Sequence, residues 1–594
     1  MLKSVLPFAI WAWCLTVAVA DDLPKLSLPW GTWEAARFPE DKNIFVFRNV
    51  RFGAKPERFG APSFPDWNDD NLQDSRGSRS CIQIDPDQSK NAPGGRHRLF
   101  EKPDKSIIQD EDCLFLDIYV PATAFEKKTN RLPVVVWLYG GAYAFGSKDQ
   151  VSPLYTGQSM LEASDYGTIF VTGNYRLGAF GWLAGSYMQD KGQPNAGLYD
   201  QALLFEWVQK YIEQVRGDRN SVSAWGESAG ASSILHHLIR EDGKVDPNFS
   251  TFLVQSPAFE WQWDNSKDGT LDKTFRDFSD LSGCGNKYDI ECLRKADAGD
   301  LARANQKLFD KVRQTGIFPI GPSVDGKWIK TIPTIAFAQG KYWEHIWSTI
   351  VSHVANEAQT FVKITMDSQE KFDKFLAEFL PGDKLSGIRD QIREQYDCES
   401  HYDGNFTNCL KEVIQDSSFT CNTRDLFEAY PDRSYMMEYA FPSDNLAYHA
   451  SDLIPLFANN VDQVLGLLSK VMRSKLLAKL YAKVLEGLVA TRYKAYFASF
   501  ALTGDPNAMD QNPRLFWPVA DGGKDELSDV LRVSRPGLIR PAFRLTSDDQ
   551  NTIKTCGFWN GIARQIMELG GGGSDDGDHE WIETQGDQRV LLEL

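Results

Sequence analysis

Positive charge is what this sequence is short of. Its 64 Lys and Arg face 81 Asp and Glu, which leaves a net charge of −17 and a pI near 5.1. A surface of that sign repels phosphate backbones and anionic lipid headgroups, so neither nucleic acid nor an acidic membrane is an expected partner. Zinc-type spacing is missing too: no cysteine stands in a CxxC or Cys/His ligand pattern, and no metal site is expected. Beyond the first twenty residues no apolar run is long enough to span a bilayer, so no stable membrane insertion is expected. No internal repeat or Pro-rich linker divides the 594 residues, and large α/β chains often spend such a length on one sheet. Histidine is scarce, with eight in the chain, so candidates for a proton-accepting imidazole are few.

Hydrophobic residues make up 42% and aromatics 12%, enough for a sizeable core. The first twenty residues read differently. Lys3 precedes the apolar stretch Val5–Ala20, which closes on Ala18-Val19-Ala20 before Asp21-Asp22. A basic start, a short apolar run and a small-x-small exit are the pattern of a secretory signal peptide over 1–20, with an uncleaved anchor as the alternative. The chain without it is expected to be soluble and extracellular. Removing Cys14 with that leader leaves eight cysteines, which suggests four disulfides among 105 formal pairings. Spacing alone makes Cys284–Cys292 and Cys398–Cys409 plausible small loops. Asn248-Phe-Ser and Asn405-Phe-Thr are glycosylation sequons. Residues 21–568 are read as one domain, and 569–594, opening on a Gly-rich acidic stretch, as a disordered tail.

The body alternates strands and helices. Val134–Leu138 and Thr168–Thr172 are continuous apolar runs, as strands buried on both faces would be. Leu204, Trp207, Val208, Tyr211, Ile212 and Val215 recur at helical spacing between Asp200 and Val215. Val222–Trp225, Phe252–Val254 and Ile346–Val351 read as further strands, and 461–490 as helices packed on the sheet. This alternation predicts an α/β fold with a large, mostly parallel, doubly wound sheet.

The strongest chemical signal is Gly226-Glu227-Ser228-Ala229-Gly230 between a strand and a helix. A serine at the tip of such a turn is held exposed and strained, glycines let neighbouring backbone approach, and the helix start offers the N–H of Ala229 to a developing anion. Tyr139-Gly140-Gly141-Ala142, ending another buried strand, can aim the N–H groups of Gly141 and Ala142 at the same point.

With these residues the chain resembles the type-B carboxylesterase/lipase family, which includes cholinesterases and fungal lipases and has the α/β-hydrolase fold. The resemblance is carried by Glu111-Asp112-Cys113-Leu114, Asn174-Tyr175-Arg176-Leu177-Gly178, the Gly217-to-Gly230 stretch, Gly504-Asp505-Pro506-Asn507 and Cys556-Gly-Phe-Trp-Asn560. It implies a Ser–Glu–His triad. The acid falls on Glu357 in Asn356-Glu357-Ala358 and the histidine on His449 in His449-Ala450-Ser451-Asp452. In both places alanine replaces the family's usual glycine. Glu227 is expected to be a buried modulator near the triad. The resemblance further implies disulfides Cys81–Cys113, Cys284–Cys292 and Cys421–Cys556, which leaves Cys398–Cys409 as an additional pair. It implies a small-molecule or lipid ester substrate and no cofactor. Adhesion proteins of this fold lose the triad, whereas all three residues are present here. A cholinesterase would need an aromatic cage for its cation, and the Cys81–Cys113 loop has Phe100 as its sole Phe, Tyr or Trp.

In family lipases that loop is a lid with an apolar underside. Here its large apolar residues, Ile82, Ile84, Leu99, Phe100, Ile107 and Ile108, are interleaved with many charges. Moving it into lipid would strip water from those charges for little apolar burial. We therefore expect dissolved esters as substrates and no strong interfacial activation. Tributyrin hydrolysis should rise smoothly through the solubility limit; a tenfold jump there would instead bring 461–490 into the mechanism as a lid.

Overall fold

The computed structural model describes residues 23–85, 107–126, 130–149, 156–312, 319–362, 366–471, 475–509, 515–535 and 542–569. The expected leader 1–20, the tail from 570 onward and the stretch 86–106 of the proposed lid loop lie outside the described residues. Eleven strands among the described residues form one sheet: β1 (Ala36–Arg37), β2 (Ile44–Arg51), β3 (Phe115–Pro121), β4 (Leu132–Leu138), β5 (Ile169–Gly173), β6 (Gly217–Glu227), β7 (Thr251–Gln255), β8 (Ser348–Val354), β9 (Ser434–Ala440), β10 (Glu526–Ser534) and β11 (Ala542–Thr552). Their order is β1-β2-β3-β5-β4-β6-β7-β8-β9-β10-β11. Every neighbouring pair from β5 to β10 is parallel, and both margins are antiparallel.

Parallel neighbours require crossovers, and helices in those crossovers cover both faces. That is why β5, β7 and β8 are buried throughout and β4 from Val134 on. The chain passes from β4 to β5 on one side and then to β6 on the other. Such a reversal opens a crevice at the carboxyl ends of β4 and β6, where α/β sheets place their ligands.

The helices that matter to the site are α1 (Ala196–Tyr211), α2 (Ala229–Leu238), α3 (Phe406–Gln415), α4 (Cys421–Ala429), α5 (Leu453–Phe457), α6 (Val461–Val471), α7 (Lys475–Val484), α8 (Thr491–Thr503) and α9 (Ile553–Glu568). The helix expected from Asp200 to Val215 begins earlier, at Ala196, and its last residues tighten into a 3₁₀ turn, Ile212–Val215. The strand expected at Ile346–Val351 is displaced to Ser348–Val354. Its final residues, Ser352 and His353, are polar yet fully buried because they find partners inside. The 461–490 segment departs from expectation as well. α6 and α7 pack against each other, and the π-helical turn Leu485–Ala490, which continues into α8, rests on α5, so the segment packs mainly on helices and not on the sheet. Leu476 and Leu480 of α7 are left 79% and 53% exposed. Among the described residues no helix is long and apolar enough to cross a membrane.

Four disulfides brace the fold: Cys81–Cys113, Cys284–Cys292, Cys398–Cys409 and Cys421–Cys556. The last ties α4 to α9 across 135 residues, whereas Cys284–Cys292 spans eight. A cross-link lowers the entropy of the unfolded chain in proportion to the logarithm of the loop it closes. Replacing both Cys421 and Cys556 by Ala should therefore cost about 5 kcal/mol, against about 2.5 kcal/mol for the Cys284/Cys292 double replacement. Urea unfolding of the two variants measures the difference; equal losses would contradict a loop-length origin.

Candidate active site

β6 runs straight into Ser228, which turns the chain into α2 with φ 56° and ψ −125°. A residue with a side chain adopts that backbone at a cost of roughly 1–3 kcal/mol, so the surroundings must hold it. Ser228 N–H donates to Gln255 of β7 at 2.9 Å, and the Ser228 carbonyl accepts from Ser232 at 2.9 Å. The flanking glycines are needed for space: a Cβ on Gly230 would lie 2.0 Å from the Leu138 carbonyl oxygen, and one on Gly226 2.6 Å from the Gly230 carbonyl carbon. The strand, the elbow and the start of the helix are in backbone contact.

The other two candidates converge on this point from distant loops. Glu357 opens a 3₁₀ turn just past β8 and is fully buried. Its Oε1 accepts the Val354 N–H at 2.8 Å, and its Oε2 lies 2.6 Å from His449 Nδ1. A neutral ring that donates through Nδ1 to this carboxylate leaves Nε2 to accept. Ser228 Oγ is 2.8 Å from that Nε2. Of the two alanines that replace the family's glycines, Ala450 has φ 66° and carries a conformation glycine would take at less cost. Ala358 sits buried in the 3₁₀ turn without such strain.

After β4 the chain passes so close to the elbow that a Cβ on Gly140 would meet Ser228 Cβ at 2.9 Å. Gly141 (φ 118°) and Ala142 (φ 52°) follow in positive-φ conformations. Ala142 and Ser228 both line one pocket. Among the described residues the N–H groups of Gly141, Ala142 and Ala229 donate to no other backbone carbonyl. The pocket has an open volume of about 530 Å³, with walls that include Phe259, Ile320, Pro322, Phe361, Ile414 and Phe419. Phe419 projects from a π-helical turn, Asp416–Thr420, between α3 and α4. Phe361 and Phe419 also pack on the His449 ring, with centroids 5.3 and 5.0 Å away.

The site is crowded with buried acids. Glu227 Oε1 lies 3.2 Å from His449 Nε2, and Asp452 is buried and accepts from Gln255 at 2.6 Å. Burial pushes the Glu227 carboxyl up to about 8 against the pull of His449, and Asp452 and Glu357 add to the rise. Burial likewise raises Asp452, to about 7. For His449 burial alone acts downward, but Glu227, the hydrogen bond to Glu357 and the charges of Glu357 and Asp452 lift it to about 9. Glu227 and His449 are near enough to share a proton and titrate as a pair.

Phe361, Phe419 and Asp452 were not assigned roles from the sequence. Asp452 stood in the quoted histidine motif and could have been found there; the two phenylalanines carry no local signal. Among the described residues no other histidine is hydrogen-bonded to Ser228 or Glu357. His236 and His237 are buried on α2, and His353 pairs with Asp548. Of the sequon residues, Asn405 is exposed and caps α3, while Asn248 is half-buried. Among the described residues no group of His, Cys, Asp and Glu could hold a metal ion.

Residues 25–547 match the sequence profile of the carboxylesterase family. A secreted lipase of Arthroderma benhamiae is 33% identical, over 93% of this chain and 96% of that protein. The carboxylesterase patB of Aspergillus clavatus is 27% identical, over 92% and 97%. In fold, the chain is similar to the crystal structure of Aspergillus niger EstA, with a TM-score of 0.72 at 24% identity over 92% of this chain and 99% of that one. The chain belongs to the carboxylesterase family, and it is a carboxylic ester hydrolase with the α/β-hydrolase fold.

Proposed function

We propose that ester hydrolysis proceeds through an acyl-enzyme on Ser228, with His449 as base and Glu357 as the supporting acid. The observation that carries this reading is the unbroken hydrogen-bond line from Ser228 Oγ through His449 to Glu357, opening on an apolar pocket. Neutral His449 takes the Ser228 proton as Oγ attacks the ester carbonyl, and Glu357 stabilises the imidazolium. Gly141, Ala142 and Ala229 donate to the tetrahedral oxyanion. His449 then gives its proton to the departing alkoxide. A water attacks the acyl group with the same base, and Ser228 is restored. The pocket walls suit the hydrocarbon part of a small-molecule or lipid ester. We also infer secretion, which rests on the leader-like first twenty residues, the four disulfides and the relative named a secreted lipase.

Ser228→Ala should lower kcat on the order of 10⁶-fold while leaving the fold intact. It should also abolish covalent labelling by a fluorophosphonate. Near-normal turnover or labelling in the folded variant would refute the assignment.

The pH profile tests the base. An ordinary imidazole near 6.5 would place the acid limb of kcat/KM just below neutrality. The buried acids around His449 lift its value, so the proton is held to higher pH and the limb should lie above 6.5. Glu227→Gln removes the leading upward contribution and should move the limb down by about one unit or more. A limb that stays in place would show that Glu227 does not act on the base.

A further inference from the structure

A second buried histidine–carboxylate pair lies directly behind the acid turn. His353 is the penultimate residue of β8, four positions before Glu357, and its Nε2 is 2.7 Å from Asp548 Oδ2. Neither side chain is more than 1% exposed. Asp548 belongs to β11, three strands away in the sheet order. Its carboxylate reaches β8 beside an irregularity in the β10–β11 ladder. The register with β10 breaks between the pairs Leu527↔Asp548 and Val530↔Thr546. Bulges of this kind re-aim single side chains and gather near active sites.

The pair touches the turn that carries Glu357. His353 Nδ1 lies 3.2 Å from the Val354 carbonyl, and the same residue's N–H holds Glu357 Oε1. From the Asp548 side, Asp548 Oδ1 accepts the Gln550 N–H, and Gln550 Nε2 donates to the Ala355 carbonyl at 3.1 Å. Ala355 is thus held from β11 through Gln550, and Val354 lies against His353, whose ring is tied to β11 by Asp548. The charges facing His353 are Asp548 from β11, Glu438 from β9 and Glu357 from the turn after β8, and Glu438 is itself paired with Arg532 of β10. Burial acts downward on His353, but Asp548, Glu438 and Glu357 raise it to about 10, so the ring is charged at neutral pH. Burying two charges is expensive and seldom a net gain in stability. A hydrophobic pair would fill the same space without that cost, but it could not fix two backbone carbonyls.

We propose that His353 and Asp548 are positioning residues for Glu357, forming a buried ion pair that anchors the Val354–Glu357 turn to β11 and holds the Glu357 carboxylate on His449. The proposal rests on the Ser228–His449–Glu357 reading. The two residues touch neither substrate nor the reacting atoms; they act through the turn.

The test is a double-mutant cycle on the full chain with Asp548→Asn, Glu357→Gln and the combination. Rates on a soluble p-nitrophenyl ester are expressed per folded molecule, with the folded fraction taken from near-UV circular dichroism. A carboxylate displaced by about 1 Å should cost on the order of 10²-fold or less in rate. Asp548→Asn should therefore lower kcat by about tenfold to a hundredfold with KM nearly unchanged, and move the acid limb to lower pH as the imidazolium loses its partner. In the Glu357→Gln background the same substitution should change kcat little, because its route of action is gone. An equal loss of kcat in both backgrounds would overturn the proposal and mark the pair as general support for the fold. If Glu357→Gln alone is near wild type, the triad reading fails first and takes the proposal with it. Should Asp548→Asn not fold, His353→Gln, which keeps a hydrogen-bonding side chain toward Asp548, is taken through the same cycle with the same expected outcomes.

Discussion

Between β6 and α2 the chain must change from extended strand to helix across a single residue, and that residue is Ser228 at φ 56°. The turn closes only if β4 and the first turn of α2 pass in backbone contact with it, which is why no Cβ fits on Gly140, Gly226 or Gly230. This close approach sets the spacing of β4 and β6 at the point where the sheet reverses direction. It brings the chain after β4 against the serine, so that Ala142 and Ser228 line one pocket. The strain stored at Ser228 is offset by a parallel sheet that is buried on both faces and cannot yield locally.

A second constraint follows from depth. Ser228, His449 and Glu357 are all buried, and buried carboxylates are costly unless they share protons or cations. Glu227, Glu357 and Asp452 surround one imidazole, and the upward shifts of Glu227, Asp452 and His449 are the expected result. Such a cluster can store a proton beside the base, so the protonation state of Glu227 becomes part of how the site responds to pH. The His353–Asp548 pair behind Glu357 adds a cation to the same acidic neighbourhood.

The catalytic candidates were legible because each is tied to a local backbone requirement that leaves a mark in sequence. The elbow demands small residues around Ser228, and the turns at Glu357 and His449 keep family-like neighbours. The large sheet was legible for a similar reason, since Val134–Leu138 and Thr168–Thr172 can only be doubly buried strands. What escaped depends on contacts between distant segments. The strand expected to end at Val351 runs on to Val354, and nothing near His353 in sequence shows that its ring meets Asp548, almost two hundred residues away. The helices of 461–490 show an apolar stripe, but a stripe does not say whether its cover is a sheet or other helices. Phe361 and Phe419 become neighbours of His449 only after the π-helical turn between α3 and α4 brings the second of them inward.

Substrate preference belongs to this second, less legible kind. The pocket wall draws on the Ala258–Gln262 stretch, the Ile320–Pro322 stretch, Phe361, and the region from Ile414 to Phe419. None of these is fixed by the chemistry of the triad, so each can vary while the hydrogen-bond line stays intact. Two of the rings have a double duty: Phe361 and Phe419 line the pocket and also press on the imidazole. Enlarging the pocket at either position would open the wall and also remove a ring that packs on His449. Reshaping the pocket at Ile320 or Ile414 therefore leaves the Phe361 and Phe419 rings in place against His449.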